Sequence, residues 1–122
     1  MVKVMLVEDD PTMFQLLNTL LSLEGYDVYC AYGDSDILEF VKRDKPDLIM
    51  MDVHLRIGGG KEVNGFELLK EIRSDSSLSR KKVIMSSGID FRIKSVEDGA
   101  DGFLLKPYMP EELINMIKDL VG

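Results

Sequence analysis

The chain has no tryptophan, one cysteine, one histidine and four prolines in 122 residues. It is also short of positive charge, with 15 Lys and Arg against 22 Asp and Glu. Each shortage removes a class. One thiol, Cys30, excludes an internal disulfide; between Tyr29 and Ala31 it reads as a small core residue in a reducing cytoplasm. Without clustered Cys and His there is no ligand set for zinc. The net charge of −7 argues against direct binding to nucleic acid or to an anionic membrane surface. No apolar run approaches the ~18 residues that a membrane span needs, and Met1 opens no signal-peptide pattern. What is present is ordinary: 45% hydrophobic and 30% charged residues, in a length that suits one domain, residues 1–122.

The pattern along the chain alternates between two periods. Val2 to Val7 reads as a strand, followed at once by Glu8-Asp9-Asp10. From Pro11 to Leu23 the pattern is helical, with Met13, Phe14, Leu16, Leu17, Leu20 and Leu21 on the apolar side and Gly25 at the end. Tyr26 to Ala31 is a second strand. Asp34 or Ser35 then caps a helix carrying Ile37, Leu38, Phe40 and Val41, which must stop before Pro46. Asp47 to Asp52 is apolar on both faces and closes on a carboxylate, as expected of a buried central strand. On this stretch alone Asp52 either caps the following loop or aims at the rim of a sheet.

A loop follows, Leu55 to Gly65, and Gly58, Gly59 and Gly60 predict that it is mobile. A helix from about Gly65 turns Phe66, Leu68, Leu69 and Ile72 inward. Lys82 to Met85 is a fourth strand, ending at Ser86-Ser87-Gly88. Phe91 to Glu97 is a weak helix with Ile93 and Val96 in register. Gly102 to Leu105 is a fifth strand, ending at Lys106-Pro107, and the last helix carries Leu113, Met116, Ile117 and Leu120. Five strands alternating with five helices predict an α/β domain: a doubly wound, flavodoxin-like parallel sheet in strand order 2-1-3-4-5.

That order converges chemistry on one rim. The first strand ends in Glu8-Asp9, the third in Asp52, the fourth in Ser87 and the fifth in Lys106; the second offers nothing polar. Three carboxylates that close repel one another by on the order of several kcal/mol per pair. They call for a cation. Oxygen ligands without imidazole or thiolate suit a hard divalent ion, and Mg²⁺ fits best because it keeps waters and bridges to phosphate oxygens. An Asp beside Mg²⁺ either remains a ligand or attacks a phosphoryl group. Ser87 and Lys106, a hydroxyl and an ammonium for phosphoryl oxygens, favour attack.

With these residues in order, the whole chain resembles the receiver domain of two-component response regulators, of the stand-alone chemotaxis-regulator kind. The resemblance rests on Val7-Glu8-Asp9-Asp10, Met51-Asp52, Ser87 and Lys106-Pro107. It implies that Asp52 is the phosphoacceptor, that Glu8 and Asp9 with Asp52 and the backbone carbonyl of His54 hold Mg²⁺, and that Lys106 binds the phosphoryl group. Ser87 would be the switch hydroxyl and Phe103 the switching aromatic. It also implies a sensor histidine kinase or phosphotransfer protein as donor, and a downstream protein partner on the surface near residues 88–108 and the last helix. The domain would catalyse its own phosphorylation and dephosphorylation without turning over a separate substrate. Asp10, just past the acidic pair, reads as a helix cap.

The chain departs from that pattern at the loop, which is about five residues longer than usual for the family, with Arg56 where a proline is common. Gly60-Lys61 does not make a nucleotide-binding loop, since Leu55 stands where that motif needs Gly and Glu62 where it needs Ser or Thr. His54 and Ile89 occupy positions that tune phosphoryl lifetime in the family. The competing reading is a phosphorylation-independent interaction domain on the same frame. Retention of Glu8, Asp9, Asp52, Ser87 and Lys106 argues against it. A free phosphatase or flavin-binding protein would need a substrate pocket or a phosphate loop after the first strand, and neither is signalled.

Overall fold

Short apolar runs in five strands build the centre of the molecule, seen in a computed structural model that describes residues 1–31, 36–57 and 61–121. In chain order the elements are β1 (Lys3–Val7), α1 (Pro11–Leu23), β2 (Asp27–Ala31), α2 (Ile37–Asp44), β3 (Leu48–Asp52), β4 (His54–Ile57), β5 (Lys61–Asn64), α3 (Gly65–Ser74), β6 (Lys82–Ser87), α4 (Arg92–Glu97), β7 (Gly102–Leu105) and α5 (Pro110–Val121). The main sheet is parallel, in the order β2-β1-β3-β6-β7. This is the expected order 2-1-3-4-5, with β4 and β5 forming a separate hairpin.

Side chains alternate across each strand, so the sheet feeds two cores. Met5, Val7, Ile49, Met51, Val83 and Met85 pack with Ile37, Val41, Phe66, Leu69 and Ile72 on the side of α2 and α3. Val4, Leu6, Leu48, Met50, Ile84 and Leu104 pack with Leu17, Leu21, Leu113 and Ile117 on the side of α1 and α5. Several methionines fill these layers, as their flexible thioethers allow.

Local chemistry sets the boundaries. Asp10 accepts from the Thr12 amide at 2.9 Å and so caps α1, with Pro11 in its first turn. Gly25, at φ +91°, ends it, and its amide donates to Ser22 O. The cap of α2 is Asp36, whose carboxylate accepts from Leu38 N at 3.0 Å; Asp34 and Ser35, expected in that role, lie outside the described residues. So do Gly58, Gly59 and Gly60, the segment expected to be mobile.

Three expectations are corrected. The stretch from Leu55 to Gly65 is not wholly loop: its described flanks pair antiparallel, His54 with Asn64 through Ile57 with Lys61. Leu16 of α1 is 51% exposed, because it lies at the edge of the stripe that Leu17 and Leu21 centre on the sheet. In α4, Ile93 and Val96 are 76% and 72% exposed, and Ser95 is the buried residue. The six-residue helix spans under two turns and sets its small residue, not its apolar ones, against the sheet.

A long-range tie had no sequence signal. The Arg73 guanidinium donates to Gly99 O, Ser79 O and Lys81 O and pairs with Asp101 at 2.9 Å. It fastens the end of α3 to the turns before β6 and β7.

Candidate functional site

β1 and β3 are neighbours, with Val7 opposite Met51, so the residues that follow β1 reach the same rim as the end of β3. There Glu8, Asp9 and Asp52 each offer a carboxylate oxygen, all within 4.8 Å of one another. Asp52 is 6% exposed. Lys106, just past β7, places its Nζ 2.9 Å from both Asp52 oxygens. The Lys106–Pro107 peptide bond is cis.

The hydroxyl that touches Asp52 is Ser86. Its Oγ donates to Asp52 Oδ1 at 2.5 Å, and it is fully buried opposite Asp52 in the β3–β6 register. Ser87 is the serine expected at this rim, but strand alternation puts consecutive serines on opposite faces, and it is Ser86 that faces Asp52. Ser87 instead accepts at its Oγ from the Ile89 amide, 3.1 Å away, and its main chain accepts from Lys106 N. Phe103 lies opposite Met85 and is buried in the core under α2 and α3. The His54 ring is exposed at the start of β4, its centroid 6.2 Å from that of Phe91.

The electrostatics follow from this crowding. Burial, and then the charge of Asp52, push the Glu8 carboxyl up from 4.5 to about 7, although the Asp10 amide at 3.1 Å favours its ionised form. Burial alone would lower the Lys106 ammonium; its hydrogen bond to Asp52 and the charges of Asp52, Glu8 and Asp9 more than offset this and raise it. Burial, helped by Glu8, pushes the Cys30 thiol up to about 12, so it stays protonated and unreactive. One ammonium against three clustered carboxylates leaves the rim electron-rich. The donor set is all oxygen, which is what Mg²⁺ takes.

A pH dependence follows. Between its ordinary 4.5 and about 7, the folded chain holds a proton on Glu8 that the unfolded chain has released. The stability from that proton is fully present below 4.5 and lost as pH rises to about 7, up to ~3 kcal/mol for metal-free protein. Urea melts in a chelator at pH 5 and 7.5 measure it, and Glu8→Gln should flatten the difference. Equal slopes in both proteins would mean that Glu8 ionises normally.

Beside the acids, the hairpin and the start of α3 enclose a polar cleft of about 510 Å³ whose walls include Asp9, His54, Arg56, Glu62, Asn64 and Glu67. The Arg56 amide donates to Asp9 Oδ2 at 2.8 Å, joining two of the cleft's lining residues.

Residues 4–118 match the response regulator receiver domain family. The chain is similar to the chemotaxis response regulator CheY4 of Vibrio cholerae, at 27% identity, a TM-score of 0.83 and 99% coverage of both chains. It is similar to NtrX from Brucella abortus at 25% identity and a TM-score of 0.82, over 99% of this chain and 27% of that one. The receiver domain of a sensor histidine kinase from Pseudomonas aeruginosa shares the fold, at 22% identity, a TM-score of 0.81 and 99% and 98% coverage. In that structure a magnesium ion is coordinated in the active-site cleft.

Proposed function

The chain belongs to the response regulator receiver domain family of two-component systems, and from that premise we propose that Asp52 accepts a phosphoryl group from a sensor histidine kinase or phosphotransfer protein and thereby switches a protein-binding surface. The observation that carries this is the Asp52 carboxylate, buried, held by Lys106 and Ser86, and within 4.8 Å of two further acids.

An Asp52 oxygen attacks phosphorus; the new P–O bond forms as the donor's P–N bond breaks, and the leaving imidazole keeps the electron pair. Glu8 and Asp9 would hold Mg²⁺, with Asp52 and the backbone carbonyl of His54 as the remaining protein ligands. When bound, the ion neutralises charge on the carboxylates and the phosphoryl oxygens. Lys106, already on Asp52, meets the charge that the phosphoryl group adds. Ser86 orients the nucleophile. No second substrate is turned over.

Ser87 links the rim to the surface. Its hydroxyl now anchors the Ile89 amide, so a move toward the phosphoryl group releases the turn that leads into α4. Phe103 is the aromatic on the adjoining strand that follows. Ile89, Ile93, Val96 and Leu105, before and on α4 and at the end of β7, are each exposed apolar side chains available to a protein partner. A short helix with one buried residue is weakly held and easily shifted. Among the described residues no helix is long and apolar enough to cross a membrane. We place the domain in the cytoplasm beside its kinase.

The test is intact mass after incubation with Mg²⁺ and a small acyl-phosphate donor. One phosphoryl group per chain is expected; no adduct, where a control receiver is labelled, would leave the phosphorylation-independent reading standing. The two serines divide the roles. Ser86→Ala should slow labelling roughly ten- to a hundredfold, the worth of one orienting hydrogen bond to a charged group. Ser87→Ala should label normally but lose most of the phosphorylation-induced amide shifts between Gly88 and Val96. The reverse pattern would exchange their assignments.

A further inference from the structure

The hairpin that follows the phosphoacceptor strand is docked onto one of the acids. Arg56 N–H donates to Asp9 Oδ2 at 2.8 Å, joining β4 to the loop after β1. In an antiparallel pair each amide points either at the partner strand or away from it. The Arg56 amide is directed at Asp9, outside the β4–β5 pair. A proline at this position would have no N–H to give.

The donor sits on a fixed base. Leu55, one residue earlier, is 2% exposed and belongs to the core. The base of the hairpin is tied by Gly65 N to Val53 O at 2.7 Å, and Asn64 caps α3 through Phe66 N at 2.8 Å. Asp9, by contrast, is an exposed side chain. Left alone, such a carboxylate samples several rotamers and must give up that freedom when it binds an ion. An amide that holds one oxygen removes most of this cost and leaves the other oxygen for the metal. Ligating carboxylates are commonly held this way by outer hydrogen bonds.

We propose that the backbone N–H of Arg56 is a positioning donor for Asp9, which makes the β4–β5 hairpin part of the Mg²⁺ site. This rests on the reading that Glu8, Asp9 and Asp52 hold that ion. The Arg56 side chain has no part in it; its pairing with Glu62 at 3.4 Å is exposed on both sides and contributes little. Because coupling is reciprocal, whatever the hairpin adds to metal affinity, the metal adds to hairpin docking.

The experiment is Mg²⁺ titration by calorimetry on wild type, Arg56→Pro and Arg56→Ala, with no phosphoryl donor present. Arg56→Pro should bind Mg²⁺ about tenfold more weakly, at the low end of the range for lost outer-shell partners. Arg56→Ala keeps the amide and should stay within about twofold of wild type. Equal affinity in the proline variant and wild type overturns the proposal and leaves the phosphoacceptor reading intact. A wild type that does not bind Mg²⁺ overturns both. Amide hydrogen exchange on wild type serves if the proline variant does not fold. Mg²⁺ should slow exchange at Arg56; faster exchange would mean that the ion displaces the amide from Asp9, which overturns the proposal.

Discussion

Asp52→Asn will take up no detectable phosphoryl group under conditions that label the wild type fully. The loss should exceed about a thousandfold, because an amide oxygen is not a nucleophile at phosphorus and this substitution deletes the bond-forming atom itself. The carboxylate is the largest charge acting on Glu8, so its removal lets the Glu8 carboxyl fall back toward its ordinary range. Two effects oppose in metal-free Asp52→Asn near pH 7.5: relief at Glu8 stabilises, and loss of the charged partner of Lys106 and Ser86 destabilises. Intact mass and urea melts on the same samples separate lost chemistry from lost stability. An adduct that persists at the wild-type level would move the phosphoacceptor elsewhere.

Among the described glycines, Gly65 is the one where an added methyl group would meet main chain most closely. A Cβ there would overlap the main-chain oxygen of Asp52, and it would lie 3.0 Å from Met85 Cε. The methionine end can move aside. The Asp52 carbonyl cannot, because it belongs to a central strand paired on both sides. Gly65 cannot retreat either, since its amide is bonded to Val53 O at 2.7 Å. For Gly65→Ala we expect a loss of ~3 kcal/mol or more, in the range of overpacked buried sites. Asp52 should shift with it, so Mg²⁺ affinity should fall even where the variant remains folded. Wild-type stability would show that the base of the hairpin yields.

Both sites show how far linear pattern reaches. Strand positions, helix faces such as Leu17 and Leu21 or Leu113 and Ile117, and the cap at Asp10 follow from local periodicity and turn chemistry. They depend on neighbours in the chain. The convergence of Glu8, Asp9, Asp52 and Lys106 was legible for another reason: a right-handed, doubly wound sheet has one strand order that places those strand ends on one rim. Chemistry at strand termini is therefore readable once the alternation is recognised.

What the linear pattern left undecided depends on contacts between distant segments. Whether Ser86 or Ser87 touches Asp52 turns on the β3–β6 register, and a shift of one residue exchanges their faces. Ile93 and Val96 keep helical spacing in the sequence, yet α4 is so short that its placement against β7 alone decides which side is covered. The glycine-rich stretch reads as loop because Gly58 to Gly60 dominate its composition, whereas its flanks pair across it. Arg56 is an ordinary charged residue in sequence; only folding brings its amide to Asp9, 47 residues away. Composition and periodicity determined the layers and the acidic rim, because those follow from local burial and strand order. Tertiary structure decided which backbone and hydroxyl donors hold the acids in place, because a hydrogen bond depends on ångström-scale position that no residue carries in its identity.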